Sequence, residues 1–348
     1  MARVRGFRAV RYDERVAGPL ESLVAPPYDV IDEEARARLA AQSPYNVVHL
    51  TLPSDEAEAA RLWREWRARG ALTEDGEPAL WWLAQDYTGP DGVARRRDGL
   101  VCALRVEPYS ARVVLPHERT HAGPKEGRLR LLRALRAHVE PIFLLYDGAL
   151  EPPRGEPLVD VELDGVRSRL WRSDDPPPSA LADASLLIAD GHHRYETALA
   201  FHEEDGSEES AWLLAVVVPT EQEGLTIFPT HRIAPRAPDL PELAPGELDG
   251  DPRATVEVYT RDRHGLLRGG EGELDSELVD RLVSDVRYTP SAAEARGAVD
   301  AGEAEAAFIL RPPSVAQVRA VAEAGRLMPQ KSTYFFPKLT SGLLFMPL

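Results

Sequence analysis

Residues 185–199 read SLLIADGHHRYETAL. The apolar run 185–189 predicts a buried strand, Asp190-Gly191 a tight turn, and His192 the start of a helix. Tyr195, Ala198, Leu199 and His202 fall at i, i+3, i+4 and i+7, the expected core face. A strand, a glycine turn and a helix N-terminus form an anion pocket, because the first backbone N–H groups lack helical acceptors and the dipole is positive there. His192, His193 and Arg194 sit at that end, where cationic side chains are disfavoured. They call for an anion or for carboxylate partners. The plainer alternative makes Asp190 an N-cap and leaves the imidazoles solvated. A metal held by Asp190, His192 and His193 fits less well: adjacent helical side chains diverge by about 100°, and Arg194 repels a dication.

On either side lie short mixed elements. Helices are expected at 32–42, with Asp32 as N-cap, and at 55–69, where Leu62, Trp63 and Trp66 share a face. Another is expected at 127–139 and one at 314–323. Strands are expected at 79–84, 99–106, 141–147, 212–218, 306–310 and 342–346, with a turn at 87–92. Alternating helices and strands predict a mixed α/β (α+β) class. The Pro-rich stretch 234–252 reads as a linker or wrapping loop between a main domain, 1–233, and a C-terminal segment, 253–348.

With 43% apolar residues, the 348-residue chain can bury a large core. No apolar run reaches the roughly 18 residues of a membrane helix. The basic N-terminus has no apolar stretch behind it, which predicts a cytoplasmic protein. A net charge of −16 argues against general affinity for nucleic acid or anionic membranes. Cys102, the one cysteine, lies in an apolar run and is expected to be inert. The charge is uneven. Residues 112–138 carry Arg112, Arg119, Lys125, Arg128, Arg130, Arg133 and Arg136 against Glu118 and Glu126. This is either a focused anion site or a basic stripe pairing with the acidic remainder.

Three further stretches carry chemistry. His117-Glu118-Arg119-Thr120-His121 matches the H-E-x-x-H pattern of zinc peptidases. Those enzymes need both histidines on one helix face. Gly123-Pro124 is expected to stop a helix there, so a loop delivering His117, Glu118, His121 and Lys125 is the better expectation. Lys331-Ser332-Thr333 ends like a Walker A loop but lacks its upstream glycines, so a solvated turn competes with a phosphate contact. Ala25-Pro26-Pro27-Tyr28-Asp29 places Tyr28 and Asp29 on a rigid proline frame.

Taken together, APPYDVI (25–31), NVVHL (46–50), HERTHAGPKEGRL (117–129), ADGHHRYETA (189–198), PTHR (229–232) and MPQKSTYFFPKL (328–339) resemble, in order and from end to end, the prokaryotic domain of unknown function 1015 family. More distantly, DGHHR at a strand-to-helix turn resembles the phosphate motif of the ParB/sulfiredoxin-like superfamily. That superfamily includes CTP-binding ParB proteins, ATP-using sulfiredoxins and free-serine kinases. The sulfiredoxin cysteine position is His192 here, which argues against sulfinic-acid reduction. The −16 charge argues against a ParB-like DNA role. The resemblance to free-serine kinases, with DGHHR intact, implies a ParB/sulfiredoxin-like core with additional N- and C-terminal α/β segments.

It also implies a nucleotide-dependent phosphotransferase acting on a small hydroxyl compound such as serine, with ATP or another nucleoside phosphate as cofactor and Mg²⁺ at Asp190. Gly191, His192, His193 and Arg194 would take the phosphates, with Lys125 and Arg128. Tyr28, Asp29, His117, His121, His231, Arg232, Lys331, Ser332 and Thr333 would be substrate or outer contacts. Glu118 is the expected general base, with Asp29 the alternative; Asp190 and His193 complete the expected catalytic set. The competing expectations are a nucleotide-binding switch without turnover and a zinc-dependent hydrolase through residues 117–121.

Overall fold

The apolar runs become strands of one large mixed sheet, seen in a computed structural model that describes residues 1–120, 122–153 and 155–348, and of Ala122 and Pro124 the backbone alone. The chain divides into two units. Unit 1 comprises Met1–Pro116, Thr120–Leu225 and Pro337–Leu348; unit 2 comprises His117–Arg119 and Thr226–Phe336.

The sheet of unit 1 has nine strands: β1 (Val4–Arg5), β2 (Leu80–Thr88), β3 (Ala94–Arg105), β4 (Val114–Leu115), β5 (Ile142–Tyr146), β6 (Val159–Leu163), β7 (Val166–Ser173), β8 (Leu186–Asp190) and β9 (Trp212–Pro219). Their order is β4-β8-β5-β9-β3-β2-β7-β6, with β1 beside β3. β4/β8 and β5/β9 are parallel; the other pairs are antiparallel. Every residue of β9 is buried, as its unbroken apolar run requires of a strand covered on both faces. Cys102 is buried in β3, and burial pushes its thiol up to about 12, so it is no nucleophile.

The helices of unit 1 include α1 (Glu33–Gln42), α2 (Glu56–Ala68), α3 (Ala122–Leu135) and α4 (His192–Asp205). The Asp32 side chain caps α1 at the Ala35 amide; Asp55 caps α2 at the amides of Ala57 and Glu58. Trp63 and Trp66 are buried on α2, and Leu62 is half-buried. Two expectations need correction. α3 begins at Ala122 instead of 127, with Gly123 and Pro124 in its first turn. First-turn amides have no helical acceptor, so a proline there removes nothing the helix uses. The helix ends at Leu135, where Arg136 turns left-handed (φ 48°). The expected 342–346 strand shrinks to a bridge between Phe345 and Val10 and a short pairing of Met346–Pro347 with Ala137–His138.

Unit 2 is built on an antiparallel sheet of β10 (His231–Ala234), β11 (Arg253–Thr260), β12 (His264–Glu271), β13 (Arg287–Thr289) and β14 (Ala306–Ile309), in the order β12-β11-β14-β10-β13. It carries α5 (Asp275–Asp280), α6 (Ala292–Asp300) and α7 (Val315–Glu323). A capping box of Ser314 and Gln317 starts α7. The Pro-rich 234–252 stretch falls within unit 2: Ala244 bridges to Leu266, Leu240 and Leu243 pack on the core, and Asp249 and Asp251 bind Arg268. The boundary between the units lies earlier, at Leu225–Thr226, and Pro337–Leu348 belongs to unit 1. Among the described residues no helix is long and apolar enough to cross a membrane.

Asp55 satisfies two amides of α2 with one side chain. Asp55→Ala is expected to lower stability by about 1 kcal/mol and Asp55→Ser to recover most of it, read by urea unfolding. An unchanged midpoint for Asp55→Ala would show that the cap contributes nothing.

Candidate functional site

A register shift in β8 between Ile188 and Asp190, beside β5, re-aims the strand just before it ends. Gly191 follows at φ 95°, a conformation side chains resist. A Cβ there would also meet Ile142 at 2.9 Å. Gly191 is the N-cap of α4 and offers no side-chain hydrogen bond. Asp190 is therefore not the cap. Its carboxylate takes Lys338 on Oδ1 and Arg194 on Oδ2, the latter at 2.7 Å. Burial alone would raise its pKa; the Lys338 and Arg194 charges outweigh that and hold the carboxyl well below the usual range. Burial pulls both cations down, but the fields of Asp190 and Asp29 outweigh it and raise them. With a cation on each oxygen, Asp190 is not placed as a magnesium ligand. Arg194 also donates to the Pro141 carbonyl, and its Nε is buried without a hydrogen-bond partner among the described residues. His192 is buried and His193 half-buried, and the core face of α4 takes in Thr197 and Phe201 as well as Tyr195 and Ala198.

A second layer forms around Glu140, a buried carboxylate. It accepts the Tyr28 amide at 3.0 Å and the Ser341 hydroxyl at 3.0 Å, and lies 3.6 Å from Arg128. The Arg128 guanidinium sits 4.0 Å above the Tyr28 ring. Asp29 follows, exposed, in the field of Arg194 and Lys338. Unit 1 thus gathers Tyr28, Asp29, Arg128, Asp190, Gly191, His192, His193 and Arg194. Lys125 lies nearby, 3.4 Å from Glu196 of α4, which also accepts the Thr120 hydroxyl.

The basic 112–138 stretch is mostly a paired stripe. Arg130 meets Glu56, Arg133 meets Glu204 and Arg136 meets Asp205. Solvated pairs of this kind contribute little to stability, and each acid offsets the charge of its arginine.

The other candidates fall in unit 2. His117 and Glu118 are in extended chain, so the described residues of the motif do not form the helix that a zincin needs. His117 is buried, with Nε2 at 3.1 Å from the Thr333 hydroxyl and its carbonyl accepting the Met328 amide. Glu118 bridges to Met328 and lies in the field of Arg232. Arg232 is fully buried and donates to the carbonyls of Thr230, Gln330 and Lys331. Lys331 is exposed and left-handed (φ 54°). The Ser332 hydroxyl donates to the Pro329 carbonyl. His231 accepts the Leu310 amide, and burial, with Arg296 and Arg232, lowers it to about 4. His121 lies outside the described residues. Among the described residues no cluster of three or more His, Cys, Asp or Glu is placed to hold a metal.

Two residues absent from the sequence-level site, Lys338 and Glu140, are central to it. One signal points to Lys338. Of 41 basic side chains only Lys125, Lys331 and Lys338 are lysines, and each lies in a chemistry-bearing stretch.

The family described as "Protein of unknown function (DUF1015)" matches residues 4–312. The chain belongs to this family. The match spans both units of this DUF1015 chain. No curated protein matches it. Among solved structures it is similar to a free serine kinase in complex with AMP, at 14% identity and TM-score 0.40, over 68% of this chain and 86% of that one. It is also similar to SbnI with C-terminal truncation from Staphylococcus aureus (12% identity, TM-score 0.42, 69% and 85%). A conserved hypothetical protein from Pyrococcus furiosus shows 14% identity and TM-score 0.36, over 64% and 87%. These likenesses are too slight to assign an activity.

Asp190→Asn leaves Lys338 and Arg194 facing a neutral amide in a mostly buried place. The expected cost is about 3–5 kcal/mol at pH 7. The Asp190 pKa is depressed by folding, so its contribution is present above the unfolded value of about 3.9 and fades as pH falls through the still lower folded value. Unfolding curves of wild type and mutant should converge toward acid; a gap that persists undiminished below pH 3.9 refutes the ion-pair account.

His138 and His231, both lowered to about 4 by burial, act at higher pH. The unfolded chain takes up protons there first, so stability falls as pH drops from about 6.5 toward 4. His138→Leu should flatten that limb by up to about 1.4 kcal/mol per pH unit; an identical slope in the mutant would place the acid sensitivity elsewhere.

Proposed function

We propose that unit 1 binds a nucleoside phosphate at the 189–194 turn, in the manner of the ParB/sulfiredoxin-like motif, and transfers a phosphoryl group to a small hydroxyl compound such as serine. The observation that carries this is the turn itself: left-handed Gly191 opening an uncapped helix, beside Arg194 and Lys338. Backbone amides and two mostly buried cations suit a phosphate chain, and the Arg194 Nε, without a partner among the described residues, is a donor in want of an acceptor. The protein's net charge is −16, so this attraction is local.

In the proposed step the acceptor hydroxyl oxygen bonds to the terminal phosphorus and the bridging P–O bond breaks. The hydroxyl proton passes to a carboxylate, and the charge gained by the leaving nucleoside diphosphate falls to Arg194, Lys338 and the helix amides. We assign the proton to Asp29, not Glu118: Asp29 is exposed, lies in unit 1 and stands in the field of both cations. Tyr28 and Arg128 would border the acceptor. Magnesium, if required, would arrive with the nucleotide, since Asp190 is already paired.

The test is a thermal-shift titration with ATP, ADP, CTP and pyrophosphate, with and without Mg²⁺, followed by product assays with hydroxyl acceptors. A ligand at a hundredfold its dissociation constant stabilises by about 2.7 kcal/mol. A shift in the wild type that is lost in Arg194→Ala supports the pocket; no shift with any of these ligands sinks it. Asp29→Asn should cut turnover about 10²–10⁴-fold while affinity stays close to wild type. Loss of turnover in Glu118→Gln instead would move the base to Glu118. Binding without product would leave a nucleotide-responsive switch.

A further inference from the structure

Lys338 hangs from an irregular stretch, with neither helix nor strand to aim it. Its ammonium nevertheless lies on Asp190. Beneath it, β2 and β3 place Gln85 and Arg97 directly opposite each other, so their side chains share one face of the sheet. Both are buried, at 1% exposure. Arg97 Nη2 donates to the Pro337 carbonyl at 2.7 Å and to the Gln85 amide oxygen. The Gln85 nitrogen donates to the Lys338 carbonyl at 3.2 Å. Two consecutive carbonyls, on either side of the Lys338 nitrogen, are therefore held by one cross-strand pair. The Arg97 guanidinium lies 4.5 Å from the centre of the Phe143 ring, and Phe143 is the register partner of Asp190.

Burial is expensive for a guanidinium. It lowers the Arg97 pKa to about 10, which leaves the group charged at neutral pH. An apolar pair would fill the same space without that penalty. What the polar pair supplies is a fixed location for the Lys338 backbone.

We propose that Arg97 and Gln85 are positioning residues that clamp the Pro337 and Lys338 carbonyls and so set the Lys338 ammonium on Asp190, where it meets an incoming phosphate. The phosphate clause rests on the proposed function; the clamp does not.

The experiment replaces the pair with residues of similar volume, Arg97→Met with Gln85→Met, in the full chain. Lysine acetylation by an N-hydroxysuccinimide ester of acetate is followed by peptide mass spectrometry. The three lysines report separately. Lys338 should react about tenfold faster in the double variant, the effect of losing a well-formed hydrogen bond, while Lys125 and Lys331 keep their rates. Arg97→Lys, which restores one donor, should fall between.

Tripolyphosphate affinity, by calorimetry, is then compared in wild type, the double variant, Lys338→Ala and the combination. If the clamp acts through Lys338, it weakens binding in the wild-type background and adds nothing to Lys338→Ala. An unchanged Lys338 rate overturns the proposal, as does equal acceleration at all three lysines, which reads as general loosening. Equal affinity losses in both backgrounds overturn it too. If wild type does not bind tripolyphosphate, the phosphate clause of this proposal falls, and the acetylation pattern still decides the clamp.

Discussion

The Asp190 carboxylate, with Lys338 on one oxygen and Arg194 on the other, organises unit 1. It ends β8, reaches the first turn of α4 and ties in the Pro337–Leu348 segment. Two cations this close repel strongly where water is scarce, and the carboxylate between them makes the arrangement tenable. The same contact explains the turn. A side chain at position 191 would collide with Ile142 and press on Arg194 at 3.2 Å, so glycine is required where the ion pair forms.

Elements governed by local rules were legible in the sequence. Apolar runs marked β5, β8 and β9, and the cap Asp32 marked the start of α1, because the atoms involved are close along the chain. The start of α3 was misplaced because a proline stops a helix from inside but is harmless in its first turn, and the letters do not distinguish the two. The 234–252 stretch looked like a linker because prolines punctuate it. Its leucines, which pack on unit 2, are too sparse to show a period.

The site divides along the same line. The turn at 189–194 was visible; the state of Asp190 was not, because its second cation is 148 residues away. Glu140 was invisible for a like reason: Tyr28, Arg128 and Ser341 come to it from three separate parts of the chain. Positive composition at 112–138 was real, but composition carries charge without partners. Arg130 and Arg133 lie on the exposed surface of α3 and Arg136 just past its end, each beside an acid. Burial separates the two kinds of cation. Arg133 and Arg136 are 46% exposed and well hydrated, whereas Arg194 is 10% exposed and depends on its carboxylate.

Among the described residues, the two most deeply buried arginines make a related point. Arg97 in unit 1 and Arg232 in unit 2 both grip backbone carbonyls. Arg97 holds Pro337, next to Lys338; Arg232 holds Gln330 and Lys331. Each lysine belongs to a segment with little regular structure, and Lys331 sits in a left-handed conformation that lysine does not favour. A guanidinium suits this task because its donors form a rigid fork that serves several carbonyls at once, while staying charged when buried. An ammonium is compact and easily deprotonated on burial. Arg97 and Arg232 serve as scaffolding and Arg130, Arg133 and Arg136 form surface pairs, while the three lysines all fall in stretches that the sequence singles out.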